Sequence, residues 1–220
     1  MRYYPVFLDL QARPCLVVGG GEVAERKIHS LLQAGGQVTV ISPTLTPQLQ
    51  SWEEETRIIV RLRSYQTGDL HGFTLVFAAT DDEALQQRIA AEAKEVGVLL
   101  NVVDRPALCS FIVPAMVSRG DLTVAVSTSG ASPALARHIR QVLERQFGKE
   151  YALMLQLLAR VRDRVVRDVR SVDERQRLFT ALVESPLLDY IRKRRVDQVD
   201  ALLQQLVGPQ YTCEALGVRL

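Results

Sequence analysis

Cysteine, aromatic residues and long apolar runs are all in short supply. The three cysteines, Cys15, Cys109 and Cys213, are odd in number and far apart, with no Cys-x-x-Cys or Cys/His spacing. That excludes a disulfide framework and a zinc site, and leaves them as packing residues. No segment reaches the roughly 18 uncharged apolar residues that cross a bilayer, and Met1-Arg2-Tyr3-Tyr4-Pro5 opens no signal peptide. A cytoplasmic protein with no membrane association is expected. Aromatics make up 6% of the chain, and neither a helix-turn-helix pattern nor an aromatic stacking platform accompanies its arginines, so nucleic acid is not an expected partner. No internal repeat or low-complexity tract is visible.

What remains is globular usage: 220 residues, 47% apolar and 24% charged, enough for one large domain or one ordinary domain with a smaller attachment. The net charge of +2 conceals an asymmetry. Up to Val113 there are 10 Lys and Arg against 13 Asp and Glu, a balance of −3; beyond it there are 17 against 12, a balance of +5. A basic second half can receive an acidic ligand, although most of its arginines read as solvated helix faces.

Residues 15 to 102 alternate short β-rich runs with helical patterns. The runs are Cys15-Leu-Val-Val18, Val38-Thr-Val-Ile41, Ile58-Ile-Val60, Leu75-Val-Phe-Ala78 and Val98-Leu-Leu-Asn101. Val23, Lys27, Ile28, Leu31 and Leu32 form one helical stripe stopped by Gly35-Gly36, and Asp82 to Val96 forms a second helix. Such alternation predicts crossover connections and a doubly wound parallel sheet. Beyond residue 110 the pattern changes: Ile112 to Val117 and Leu122 to Ser127 flank the turn Ser118-Arg-Gly-Asp121 as an antiparallel hairpin. Helices follow, with Leu135, Ile139, Val142, Leu143 and Phe147 on one stripe, Leu153, Leu157, Val161, Val165 and Val169 on another, and shorter helices near 173–183 and 186–206. This second part is expected to lack a large core of its own, which predicts association of two copies through residues 112–147. The segment from Gln210 onward carries no readable signal.

Val17-Val18-Gly19-Gly20-Gly21-Glu22-Val23-Ala24 fits G-x-G-x-x-A between a strand and a helix. In that context the glycines permit a tight turn and close approach of a pyrophosphate, while unpaired N–H groups at the helix start face the anion. Gly19, Gly21, Glu22 and Val23 are the candidate cofactor residues. The acid that ordinarily follows the second strand is missing, since the sequence there is Ile41-Ser42-Pro43-Thr44, and no arginine stands in its place. Ribose contacts would fall to Ser42, Pro43 and Thr44, and NAD is expected over NADP. Thr80, in Ala78-Ala79-Thr80-Asp81, ends the next core strand at the ligand-binding edge.

None of the six tyrosines has a lysine four residues on, and no His-Asp couple stands near a strand end. The catalytic candidate is Asp104 in Asn101-Val102-Val103-Asp104-Arg105-Pro106, beyond the fifth strand; its plainer reading is a turn or cap aspartate. Ser127-Thr-Ser129-Gly-Ala-Ser132-Pro133 leads into a helix that Ser132 caps, and the same helix start could hold a carboxylate or phosphate. His29, His71 and His138 are isolated and read as structural or surface residues.

Taken together with Val38-Thr39-Val40-x-x-Pro43, Ser110-Phe111-x-x-Pro114-Ala115 and Ser129-Gly130-x-Ser132-Pro133-x-Leu135-Ala136-Arg137, these motifs resemble the precorrin-2 dehydrogenase/sirohydrochlorin ferrochelatase family of sirohaem synthesis. The resemblance spans residues 15 to 140 and implies removal of hydrogen from precorrin-2, with NAD taking a hydride, a base taking a proton, and Asp104 accepting that proton or orienting the ring. It further implies a homodimer, a tetrapyrrole substrate for whose carboxylates the basic second half offers Arg119, Arg137 and Arg140 with Ser129 and Ser132, and in some members ferrous iron as the substrate of insertion. No metal-ligand cluster accompanies that second chemistry. The chain departs from some relatives in having Ser127-Thr128-Ser129-Gly130 where they read Ser-Ser-Gly-Gly with a phosphorylatable serine. Fused relatives add a methyltransferase; here uroporphyrinogen methylation is expected from another polypeptide. The expected fold is α/β: a Rossmann-like parallel-sheet domain over 1–113, a β-hairpin dimerisation segment with its helix over 114–147, and a C-terminal helical domain over 148–220. A nicotinamide-sensing regulatory module without catalysis is the alternative, and the helical second half and the Asn-Val-Val-Asp motif argue against it.

Overall fold

The computed structural model describes residues 3–220; Met1 and Arg2, in the opening segment read for a leader peptide, lie outside the described residues. Contacts divide the chain into a unit ending at Val113 and a second unit from Pro114 to Leu220. Among the described residues no helix is long and apolar enough to cross a membrane.

In the first unit β1 (Pro14–Val18), β2 (Gln37–Ile41), β3 (Ile58–Arg61), β4 (Leu75–Ala78) and β5 (Leu99–Val102) form one parallel sheet in the order β3-β2-β1-β4-β5. The two central strands are apolar on both faces because both faces are covered. On one side α1 (Glu22–Gln33) and α2 (Pro47–Glu54) seal a core of Val17, Ala24, Ile28, Val38, Val40, Leu49, Trp52 and Phe77. On the other side α3 (Glu83–Val96) packs Ile89 and Ala93 against Leu16, Val18, Ile41, Val76 and Leu100. Each fully buried aliphatic side chain contributes about 1.5–3 kcal/mol, so the sheet centre is the stable part of this unit. β5 begins one residue later than its apolar run predicts. Gly97, left-handed at φ 77°, ends α3, and the Val98 N–H returns to the Ala93 carbonyl at 3.1 Å, so Val98 belongs to the cap. α2 carries only Leu49 and Trp52 as buried residues, too few for a visible period; its signal is the Thr46 cap, which accepts from the Leu49 N–H at 3.3 Å, followed by Pro47.

No helix joins β3 to β4. A buried carboxylate orders that loop instead: Glu92 of α3 accepts from the Tyr65 hydroxyl at 2.5 Å, the Gly68 N–H at 2.9 Å and the Leu70 N–H at 3.4 Å. Burial, and then the bond to Glu92, pushes the Tyr65 phenol well above its ordinary range, so it stays a donor.

The second unit opens with β6 (Ala115–Arg119) and β7 (Leu122–Val126), antiparallel and joined by the two-residue loop Gly120–Asp121 with Gly120 at φ 59°. β6 starts later than predicted, after Pro114, which has no N–H for a ladder. Then come α4 (Pro133–Gln146), α5 (Glu150–Asp168), α6 (Val172–Glu184), α7 (Leu187–Arg192), α8 (Val196–Leu206) and α9 (Cys213–Leu216).

Two expectations need correction here. The single helix predicted over 186–206 is two, α7 and α8, because Arg194 adopts φ 52° and the Arg195 N–H bonds back to the Tyr190 carbonyl, closing α7. The expected lack of a core is also wrong. Leu157, Val161 and Val165 of α5 meet Leu182, Leu187, Ile191, Val199 and Leu203, and the unread tail completes this core with Tyr211, Cys213, Leu216 and Val218. The hairpin and α4 are different. Val117 and Ala136 are their buried apolar residues, whereas Met116, Leu135 and Val142 are 45%, 50% and 41% exposed.

Glu92→Ala strands the Tyr65 hydroxyl and two backbone N–H groups. It is expected to lower the unfolding free energy by about 2–3 kcal/mol, read as a lower urea midpoint; an unchanged midpoint would show that another contact orders the β3–β4 loop.

Candidate active site at the carboxyl edge of the sheet

The strand order reverses between β1 and β4, so the loops that leave their carboxyl ends diverge and open a crevice. The glycine loop fills the back of it. The Gly19 N–H donates to the Ile41 carbonyl at 2.9 Å, the Ala79 N–H donates to the Val18 carbonyl at 2.8 Å, and the Gly20 carbonyl accepts from the Thr46 N–H at 3.0 Å. No side chain fits at the first two glycines. A Cβ on Gly19, at φ 122°, would stand 2.1 Å from the Ala79 carbonyl oxygen, and one on Gly20 would stand 2.0 Å from that of Thr44.

Gly21 is the opposite case, since a Cβ there would meet nothing within 4 Å. It is the N-cap of α1, and no side chain caps the helix, so the N–H groups of Glu22, Val23 and Ala24 have no intrahelical acceptor. They border a cleft of about 370 Å³ walled by Gly21 to Val23, by Ala79 to Asp81 with Glu83 and Gln86, and by Val103 to Arg105. Partial positive charge at the helix start, with open space before it, suits a pyrophosphate. The rest of the rim is acidic: Glu22, Asp81 and Asp104 stand on it, and the Glu83–Arg105 ion pair adds no net charge.

Asp104 is the strained residue of this cleft. The Val103 N–H pairs with the Ala78 carbonyl at 3.0 Å, the Arg105 N–H returns to the Val102 carbonyl at 3.3 Å, and Asp104 between them is left-handed at φ 58°. Such a backbone costs a non-glycine residue about 1 kcal/mol and is tolerated where surrounding contacts over-determine it. Those contacts are visible. The Cys109 thiol sits within 3.2 Å of both the N–H and the carbonyl of Val102 and 3.3 Å from the Arg105 carbonyl. The Ser110 hydroxyl bonds Leu100, and the Asn101 amide donates to the Phe111 carbonyl at 3.0 Å. The Asp104 carboxylate is exposed and makes no hydrogen bond or ion pair with any described residue.

Lys27 of α1 lies behind this wall, half-buried, with its ammonium 5.5 Å from the centre of the Phe77 ring. Burial, and secondarily Arg26, pulls Lys27 below the usual lysine range, while the negative charge of Asp104 opposes that shift. Neither Lys27 nor Cys109 was assigned a part from sequence. A signal existed for Lys27, a cation set within the apolar stripe of α1; none existed for Cys109, whose thiol is brought to Val102 by the return of the chain after β5.

Gly21, Glu22, Val23, Thr80 and Asp104 therefore share one cleft, with Gly19 behind it. Ser42, Pro43 and Thr44 stand at the neighbouring end of β2 and do not line the cleft. Ser42 is 4% exposed and its hydroxyl donates to the Thr44 carbonyl at 2.7 Å, so it is already occupied. The remaining candidates lie in the second unit. Ser132 caps α4 through the Leu135 N–H at 3.2 Å, and the Thr128 hydroxyl bonds both the N–H and the carbonyl of Ser132 at 3.1 Å. Arg119 donates to the carbonyls of Phe147, Glu144 and Ser118, a C-terminal cap for α4. Ser129, at φ 53°, and Arg137 are exposed.

Comparison with known proteins covers both units. An NAD(P)-binding family matches residues 6–115, the sirohaem biosynthesis protein central family matches 119–146, and the sirohaem synthase dimerisation region matches 150–207. A siroheme synthase of Nitrosococcus oceani is 37% identical over 204 residues, and one of Ectopseudomonas mendocina is 41% identical over 205; each alignment covers 93% of this chain and 44% of the relative. The chain thus spans less than half the length of these curated relatives. A solved structure described as SirC, precorrin-2 dehydrogenase, superposes with a TM-score of 0.75 at 31% identity, covering 93% of this chain and 98% of that one.

The open space at Gly21 yields a separable prediction. Gly21→Ala, at an ordinary φ of −88°, is expected to change unfolding free energy by no more than about 0.5 kcal/mol while its methyl group blocks approach to the helix start. Nucleotide affinity by calorimetry should fall about tenfold or more; unaltered affinity would place the pyrophosphate elsewhere.

Proposed function

Since the chain belongs to the sirohaem-biosynthesis family that includes the precorrin-2 dehydrogenase SirC, we propose that it oxidises precorrin-2 to sirohydrochlorin with NAD as acceptor. The observation that carries this reading is the Asp104 carboxylate, unpaired among the described residues and held in a left-handed backbone on the same cleft as the uncapped start of α1. NAD, when bound, supplies the acceptor for a hydride. The chain's own residues would do the rest: the N–H groups of Glu22 to Ala24 would hold the pyrophosphate, Thr80 would border the dinucleotide, and Asp104 would take the one proton released with the single hydride. The Asp104 carboxylate is exposed on the cleft and makes no hydrogen bond or ion pair with any described residue, so its oxygens are open to a substrate.

For the heavily carboxylated macrocycle, Arg137 and Ser129 have side chains free to receive carboxylates, whereas Arg119 and Ser132 act through the ends of α4 that they cap. Ferrous iron, as a substrate, gives a second reading: insertion into sirohydrochlorin needs a base for two pyrrole protons, and Asp104 is the same unpaired group. Three free cysteines suit a reducing, cytoplasmic location. We infer further that the chain associates as a homodimer, with residues 114–147 as a dimerisation segment between the NAD-binding domain and the helical domain over 148–220, although the family's dimerisation region matches 150–207 and so assigns the helical domain to the same association. The exposed Met116, Leu135 and Val142 support that division.

Anaerobic incubation with precorrin-2 and NAD should yield the sirohydrochlorin spectrum and reduced nicotinamide together; absence of both would favour the sensing module. Asp104→Ala is expected to bind NAD normally and to lose about 10²–10⁴-fold in turnover, and retained turnover would remove Asp104 from the mechanism. Ferrous ion added to purified sirohydrochlorin tests insertion separately. Sedimentation at micromolar concentration should give a dimer that Leu135→Glu dissociates, and a wild-type monomer would refute the association.

A further inference from the structure

One buried amide on the cleft wall is only half used. Gln86, near the start of α3, borders the cleft together with Thr80 and is 6% exposed. Its side-chain Nε2 donates to the Thr80 carbonyl at 2.6 Å. That partner can only accept, so the nitrogen must face it and Oε1 is turned the other way. Oε1 has no hydrogen-bond partner among the described residues, and it is not sealed from solvent. Glu92, on the same helix and equally withdrawn from water, has both of its oxygens occupied by the loop before β4. A desolvated amide oxygen is costly to leave unpaired. Because Gln86 is a wall of the cleft, a ligand lying there can supply the missing donor.

Thr80 on the same wall has the complementary group to offer. The Ala79 N–H donates to the Val18 carbonyl at 2.8 Å and the Asp82 N–H donates to the Thr80 hydroxyl oxygen at 3.3 Å, so the turn after β4 is fixed on both sides. The hydroxyl hydrogen of Thr80 has no acceptor among the described residues and stays available as a donor. Strand order decides which end of a dinucleotide meets this wall. A doubly wound fold holds the adenosine ribose at the end of β2 and the pyrophosphate at the start of α1, which sends the nicotinamide half toward β4 and β5. The ribose hydroxyls of that half donate and accept through one atom. The carboxamide keeps its donor and its acceptor on separate atoms, as Gln86 and Thr80 do.

We propose that Gln86 is a cofactor-binding residue, its Oε1 accepting a hydrogen bond from the carboxamide N–H of a bound nicotinamide while its Nε2 holds the Thr80 turn. The proposal rests on the reading of the cleft as a nicotinamide-dinucleotide site. A carboxamide tied to the wall cannot turn over, and this fixes which face of the ring is offered to a hydride. A glutamine that only braced the Thr80 turn would treat every dinucleotide alike.

Calorimetric titration of the full chain with NAD and with its 3-acetylpyridine analogue separates the two roles, because the analogue carries a methyl group in place of the amide NH2 and keeps the rest of the dinucleotide. Wild type should bind NAD about fivefold or more tightly than the analogue, the contribution of one hydrogen bond to a buried acceptor. Gln86→Met, close in length and without a polar end, should bring the two affinities within about twofold of each other, on top of any uniform loss from the freed Thr80 turn. Equal affinities in wild type, or a Gln86→Met ratio equal to that of wild type, overturn the assignment and leave the nucleotide site standing. Failure of wild type to bind either ligand overturns the underlying reading as well. Should Gln86→Met not fold, Gln86→Leu takes its place with the same two outcomes.

Discussion

Backbone meeting backbone at the turn after β1 governs the rest of the first unit. With carbonyl oxygens of Ala79 and Thr44 standing where side chains of residues 19 and 20 would be, the chain can pass only as glycine. That close approach ties the ends of β2 and β4 to the start of α1 and leaves the helix start bare toward the crevice. A wider loop would let a side chain fold back onto those N–H groups, and the crevice would lose its anion site. The third glycine relieves nothing sterically inside the protein, so its small size serves the space outside it.

The opposite wall is built by a different principle. Asp104 is held in an unfavourable backbone state by its neighbours rather than by its own contacts, and each of those neighbours, Asn101, Cys109 and Ser110, spends its polar atoms on the return of the chain after β5. A carboxylate positioned in this way stays unpaired and available. A carboxylate anchored by its own salt bridge, as Asp69 is, has its oxygens already occupied and is held below the usual carboxylate range by Arg63.

The second unit joins two unlike parts. The helical part from α5 onward has its own core, completed by the last ten residues. The hairpin and α4 bury little, and Arg119 is spent on the C-terminal end of α4 instead of facing solvent. Stability and open apolar surface are thus segregated along the chain, which suits a segment that associates.

Parallel strands, the two long helices α1 and α3, the hairpin and the glycine loop were legible in the sequence because each rests on local periodicity or on a residue type with one conformational use. The same local reasoning placed Asp104 at the crevice, since it follows a strand end. It failed wherever the deciding contact is distant in sequence. The core of the helical part depends on a tail whose apolar residues have no period, α7 and α8 divide at an arginine that no propensity marks as left-handed, and the Ser42 hydroxyl is consumed by a turn. Read along the chain, the end of β2 has no charged neighbour. Only the pairing of β2 with β3 puts Arg61 there, because register is a property of the folded sheet and not of either strand alone.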